Sequence, residues 1–504
     1  MLFRRLLIAA AVSAAAAGSA MACTTILVDR GASADGSFFI ARSVDGHVNV
    51  AQWMVRHPAV KGQKGEYRPK ALSEDANDFA WPLPENALAY SSTPSWMKGV
   101  SDPKLFNDGA AGFNELGVGI SGTESIYASP EALKADPYNE ASGISEMDIT
   151  NVLLPRARSA REGAQILGSI IEKAGAAEGM GVAFVDEKEL WYLETGSGHQ
   201  WMARRIPKAQ YFASGNQSRL QEYRENDPDF MGSKTLVSFA EKHGLYSPKD
   251  GAFNFTKAYA RNDARDRTYN DPRVWAIQRA FTPSLEQKID EGRSFPVFAK
   301  PERKLTLDDL RTIMRNHYQG LAFDPYTNGL KPDSKYRPIS VFRAFQTHIL
   351  QVRPGMPKAI GEVHWLSLGM ADLSVFVPFY QGIGTVPQSY STGTDRADSA
   401  SSFWKIRKLQ GIVMTDYPKL APIVQKAFRG FEAETAERQK AMEAQYLKTV
   451  KSDPKGAQKL LDGFSADTLA RADALADRLT DEVMTERIND IEAFIPFNNR
   501  KKPD

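Results

Sequence analysis

"CTTILVDRGASADGSFFIARSVDGH", residues 23–47, contains two runs rich in β-branched and aromatic residues, parted by Gly, Ala, Ser and Asp. That pattern predicts two short strands joined by a turn, so the chain opens in a sheet. Residues 57–109 are rich in Pro, Ser and Lys with weak periodicity and read as a long, partly irregular excursion. Strand character returns in "GAAGFNELGVGISGTESIYA" around a turn at Asn114-Glu115. Helical spacing follows in "EMDITNVLLPRARSAREGAQILGSIIEKAG", interrupted near Pro155. Strands resume in "GVAFVDEKELWYLETGSGHQWMARR". A capping box at Thr306 predicts a further helix, and "HILQV", "EVHWLSLG" and "SVFVPFY" read as apolar strands. From about Ser399 to Ile488 the chain turns helical, and Leu475, Leu479 and Val483 recur every four residues as core contacts. Strands come in consecutive groups rather than alternating with helices, which predicts an α+β fold instead of a wound parallel sheet.

Residues 1–22 read as an export signal. Arg4 and Arg5 give a positive start, Leu6 to Ala17 form an apolar run too short to span a bilayer, and Ala20-Met21-Ala22 is a small-residue cleavage site. Their removal leaves 482 of the 504 residues and balances 61 basic against 61 acidic side chains. A neutral chain gives no reason to expect a nucleic-acid or anionic-membrane partner. The predicted organisation is a signal at 1–22, a main domain at 23–400 and a helix-rich extension packed on it at 401–504. A periplasmic or secreted location is expected, and the sequence leaves a homo-oligomer open.

Several motifs carry less than their letters suggest. Gly117-Val-Gly119-Ile-Ser-Gly122 fits a dinucleotide fingerprint but sits within strand sequence after a turn, where no helix follows. The seven histidines show no pair at helical ligand spacing, so no metal site is expected. Gly-x-Ser-x-Gly is missing, and Ser452-Asp-Pro-Lys455 is only a fragment of a Ser/Lys hydrolase pattern.

Cys23 is the sole cysteine, so no disulfide can form within the chain. Cleavage after Ala22 would make it the first residue, bringing a thiol of reference pKa about 8.5 beside an α-amine of about 7.7 to 8.0. Such an amine can take the thiol proton, giving nucleophile and base on one residue. The unit needs a cation for the thiolate, a carboxylate for the amine and donors for an oxyanion. Arg42 and Asp45 close the next strand and satisfy the first two needs on spacing; equally, Asp45-Gly46 is a common turn and the two charges an ordinary surface pair.

The opening segment resembles the N-terminal-nucleophile dipeptidases related to secernin, which are themselves similar to choloylglycine hydrolases and penicillin V acylases in having Cys and then Arg-x-x-Asp closing the next strand. "GFNELGVGISGTES", "WYLETGSGHQW", "ASGNQSRL", "DPRVWAIQRAF", "VHWLSLG" and "SSFWKIRKL" are similar to further segments of that family, in order, up to about residue 410. The resemblance implies a four-layer αββα sandwich and amide hydrolysis through a thioester, with no metal or organic cofactor. It makes Cys23 the nucleophile with its α-amine as base, sets Arg42 beside the thiolate and gives Asp45 the amine. It assigns the Asn216 side chain to the oxyanion hole, the backbone amide near Glu124 as second donor, and Arg273 as a more distant substrate-side arginine. By themselves, Gly215-Asn216 is an ordinary turn, and Arg273 belongs to a charge-rich stretch that reads as solvated. Dipeptides are the implied substrates. N-acyl amides, and a lipid-anchored binding protein acylated on Cys23, are the alternatives.

Overall fold

The Thr-Thr-Ile-Leu-Val run forms β1 (Thr24–Val28) and pairs antiparallel with β2 (Phe38–Asp45), Thr25 lying opposite Arg42. This hairpin is in the middle of a computed structural model that describes residues 23–46, 50–69, 76–96, 109–326 and 334–493. The predicted export signal and His47 lie outside the described residues. The excursion after β2 is more ordered than its composition suggests. β3 (Val55–His57), β4 (Val60–Lys61) and β5 (Glu66–Tyr67) run outward, and β6 (Trp81–Pro82), β7 (Asn86–Ala87) and β8 (Tyr90–Ser92) return against them. The nested pairs β3-β8, β4-β7 and β5-β6 make one long hairpin arm.

The remaining strands are β9 (Ala111–Phe113), β10 (Gly119–Ser125), β11 (Met180–Val185), β12 (Leu190–Thr195), β13 (Trp201–Arg205), β14 (Tyr211–Ser214), β15 (Phe230–Gly232), β16 (Phe298–Ala299), β17 (Ala344–Val352), β18 (Glu362–Leu368) and β19 (Val377–Tyr380). They assemble, among the described residues, into a seven-stranded sheet ordered β16-β14-β1-β2-β17-β18-β19 and a six-stranded sheet ordered β15-β13-β12-β11-β10-β9. The glycine pattern at 117–122 thus falls on a turn and β10, as its context predicts.

Alternation along the strands creates four layers. Leu27, Phe38, Ile40, Phe212 and Leu350 of the first sheet meet Ala183, Val185, Tyr192 and Met202 of the second in a common core. The opposite face of the first sheet, with Ile26, Val28, Phe39 and Ala41, packs on helices Asp271–Phe281, Leu307–Met314, Ser402–Val413, Tyr417–Thr449 and Pro454–Ala493. The outer face of the second sheet, with Ile120, Val182, Phe184 and Leu193, packs on Ile149–Leu153 and Ala160–Ala174, two helices parted at Pro155. This is an α+β, αββα arrangement.

The C-terminal helices belong to the core of the first sheet: Leu479 and Val483 are buried with Ile26 and Val28, while Leu475 packs alongside them partly exposed. Two polar ties fix their position. Glu432 forms a buried ion pair with Arg315, which also donates to the carbonyls of Ala371 and Ser374. His317 lies between Asp324 (2.8 Å) and the Tyr417 hydroxyl (2.8 Å), with Asp372 nearby. Burial pulls its pKa down, but the hydrogen bond to Asp324 and the nearby Asp372 carboxylate outweigh it and raise it to about 9.

Glu432→Ala leaves Arg315 buried without its counterion and is expected to cost about 3–5 kcal/mol in urea unfolding. Because the folded pKa of His317 exceeds its unfolded value of about 6.5, its contribution is complete below that pH and lost as pH rises toward 9. Unfolding free energy measured from pH 6 to 9.5 is expected to fall through that window, and the fall to be absent in His317→Gln.

Candidate active site

Strand parity aims the first residues of the site. Cys23 and Thr25 share the face of Leu27, and Arg42 the face of Phe38 and Ile40, so these side chains point into the space between the sheets. Cys23 is wholly buried, and Arg42 Nη2 donates to its Sγ at 3.0 Å. The same guanidinium donates to the carbonyls of Gly122 (2.6 Å) and Thr123 on β10, tying the hairpin to the second sheet. Burial pushes the Cys23 thiol up to about 12; Arg42 opposes the shift, and Glu124 and Asp45 add to it. With Ala22 attached, the Cys23 nitrogen is an amide and cannot take the thiol proton, so the thiol of the uncut chain stays neutral.

Asp45 closes β2 wholly buried. Its Oδ2 forms an ion pair with Arg337, and its Oδ1 has no hydrogen-bond partner among the described residues. Burial raises its pKa, against the pull of Arg337, Arg343 and Arg273. A carboxylate with one oxygen held by a guanidinium and the other open is suited to a second cation.

Glu124 reaches the site because β10 is irregular. Between Gly122 and Glu124 the ladder gains a residue, so Glu124 pairs with Gly181 and faces inward, where strict alternation from Ser121 would turn it away. Gly181 leaves room for this: a Cβ there would lie 2.1 Å from the Tyr192 hydroxyl and 3.3 Å from the Glu124 Cβ. Thr25 donates to Glu124 Oε2 at 2.6 Å, and burial lifts this carboxyl to about 7 despite Arg273 and Arg42.

Asn216 follows the end of β14. Gly215 before it does more than turn the chain, since a Cβ there would meet Arg273 Nη2 at 2.8 Å. Arg273 is fully buried, which overturns its reading as a solvated charge. Its Nε donates to the Tyr269 carbonyl (2.8 Å), Nη1 to the Cys23 carbonyl and Thr24 Oγ1 (2.9 Å), and Nη2 to Asn216 Oδ1 (2.9 Å) and Asn270 Oδ1 (2.6 Å). All five N–H groups thus meet protein acceptors, making Arg273 a clamp on Cys23 and Asn216 rather than a donor directed at substrate. The clamp turns Asn216 Oδ1 toward the guanidinium, with the donor nitrogen on the other branch of the amide.

The structure therefore brings Cys23, Arg42, Asp45, Glu124, Asn216 and Arg273 into one buried polar cluster. Sequence reasoning missed two further members. Asn270 occupies the N-cap of helix Asp271–Phe281 without capping it; its amide instead donates to the Asn216 carbonyl, and its oxygen accepts from the Asn216 N–H. An Asn at an N-cap carries no hint of that diversion, although it directly precedes the quoted "DPRVWAIQRAF". Arg337 comes from a loop with no motif, positioned by its N–H to the Thr268 carbonyl (3.0 Å) and its carbonyl to the Tyr318 hydroxyl (2.7 Å).

A cavity of about 810 Å³ is lined by residues including Gln217, Arg219, Asp266 and Asp271, and Cys23 does not line it.

The chain is 49% identical over 390 residues to a probable dipeptidase of Salmonella dublin, covering 77% of this chain and 87% of that protein. It is 36% identical over 411 residues to a probable dipeptidase A of Streptococcus pyogenes serotype M3 (strain SSI-1), covering 79% and 84%. Among solved structures, a variant of conjugated bile acid hydrolase from Clostridium perfringens aligns with 69% of this chain and 89% of its own at 11% identity and a TM-score of 0.32, too slight a likeness to carry an argument. Residues 22–429 match the description Peptidase family C69, a span that begins one residue before Cys23 and takes in every member of the cluster. The chain belongs to peptidase family C69.

Proposed function

We propose that this protein is an exported cysteine dipeptidase whose nucleophile and base are both supplied by Cys23. The observation that carries the reading is the Cys23 thiol held 3.0 Å from Arg42 with a half-open Asp45 carboxylate at the end of the same hairpin. The relatives named above support the substrate class.

Cutting the Ala22–Cys23 bond frees the α-amine. That amine takes the thiol proton, Asp45 Oδ1 receives the resulting ammonium, and Arg42 balances the thiolate. The thiolate attacks the peptide carbonyl, and the oxyanion is met by the Asn216 side-chain amide and the backbone N–H near Glu124. The ammonium returns its proton to the departing amino acid. Water, deprotonated by the same amine, then cleaves the thioester and releases the second amino acid with the thiol restored.

Intact mass of the exported protein, joined to assays on dipeptides and N-acyl amides, tests the reading. Expected is a chain starting at Cys23 that hydrolyses dipeptides, loses activity on single alkylation by iodoacetamide and falls at least about 10³-fold as Cys23→Ser. An acylated Cys23, an alkylated enzyme at full rate, or hydrolysis of N-acyl amides alone would sink it.

Arg337 generates a separate expectation. It favours ionised Asp45, so its removal raises the Asp45 pKa further and weakens the hold on the ammonium. In Arg337→Gln the acid limb of kcat/KM is expected to move upward by on the order of 1 pH unit, with Arg337→Lys in between. An unmoved limb in a folded variant would show that Asp45 does not depend on this partner.

A further inference from the structure

Resting on the dipeptidase reading, we infer that Arg343 binds the α-carboxylate of the amino acid that leaves. In a dipeptide that carboxylate lies within roughly 4 Å of the scissile carbon, so its receptor must stand within about one residue of the thiol and its partners. Arg42 and Arg273 bond to Cys23, Arg337 bonds to Asp45, and Arg343 is close enough to Asp45 to favour its ionised form. Arg42 is directed at Cys23 and the β10 carbonyls, Arg273 has all its donors placed, and Arg337 is buried against Asp45.

Arg343 differs from these. Its carbonyl accepts from Gly46 N–H at 3.1 Å, which fixes it across the ladder from the residue after Asp45. Its side chain is partly exposed, and among the described residues its guanidinium makes one hydrogen bond, from Nη2 to the Tyr269 hydroxyl at 2.7 Å. Tyr269 is itself braced by the Arg337 and Arg273 guanidiniums, 4.9 and 5.3 Å from its ring centre. The remaining edge of Arg343 is a planar fork of donors, which matches a carboxylate in bidentate fashion. The arrangement also excludes longer peptides from productive binding, because the next residue replaces the anionic end by a neutral amide.

The test compares kcat/KM for a dipeptide, its C-terminal amide and the tripeptide that extends it. Wild-type enzyme is expected to prefer the free acid to the amide by roughly 10- to 100-fold, through KM. In Arg343→Gln that ratio is expected to fall toward unity, Arg343→Lys to keep part of it, and Tyr269→Phe to reduce it by freeing the guanidinium. A ratio unchanged in Arg343→Gln overturns the inference, as does a wild-type enzyme that uses acid and amide equally; both leave the dipeptidase reading standing. A wild-type enzyme inactive on all three substrates overturns that reading and this one together.

Discussion

The Arg42 guanidinium is the contact on which the rest of the site depends. It leaves β2 of one sheet, touches the Cys23 sulfur on the neighbouring strand and ends on carbonyls of β10 in the other sheet. A buried cation is tolerated only where dipoles and anions surround it, and here the β10 carbonyls and the Cys23 sulfur do so. With a neutral thiol, the charge of Arg42 is met by carbonyls and by a Glu124 that burial drives toward its protonated form. A thiolate completes the pairing. On the proposed mechanism, these groups are in place before the proton leaves sulfur, so little needs to move at that moment.

A second set of contacts carries order inward from the far side of the molecule. Helix Tyr417–Thr449 grips the 315–326 segment through Glu432–Arg315 and Tyr417–His317. In that segment, the Tyr318 N–H donates to Asn316 Oδ1 and its hydroxyl donates to the carbonyl of Arg337, whose guanidinium holds Asp45. The helices predicted as an extension are therefore structurally continuous with the seven-stranded sheet, and the family match itself runs into them, to residue 429. Packing in the outer layer and ionisation in the inner one are linked by a short run of hydrogen bonds.

Much of the fold is legible from local pattern. β1 and β2 follow from β-branched runs bounded by turn residues, the capping box at Thr306 forms as written, and Pro155 parts two helices. The excursion is where local reading falls short. Its strands are two or three residues long and gain their order by pairing across tens of residues, which no periodicity records. Arg273 misled for a related reason, because a charge-rich stretch looks solvated until the N-terminus of its helix folds onto Cys23 and Asn216.

By itself, the sequence singled out Cys23 and its nearest neighbours. Cys23, Arg42 and Asp45 lie within one hairpin, and hairpin register is a local property of alternation and turn length. Only the tertiary structure decided which remote groups complete the site. The β10 irregularity turns Glu124 inward, Gly215 admits Arg273, Asn270 gives up its capping role for Asn216, and a loop nearly 300 residues from Asp45 delivers Arg337. Each depends on a close approach between segments far apart in the chain. Such approaches are set by how two sheets and their covering helices pack, a constraint that no single stretch of residues contains.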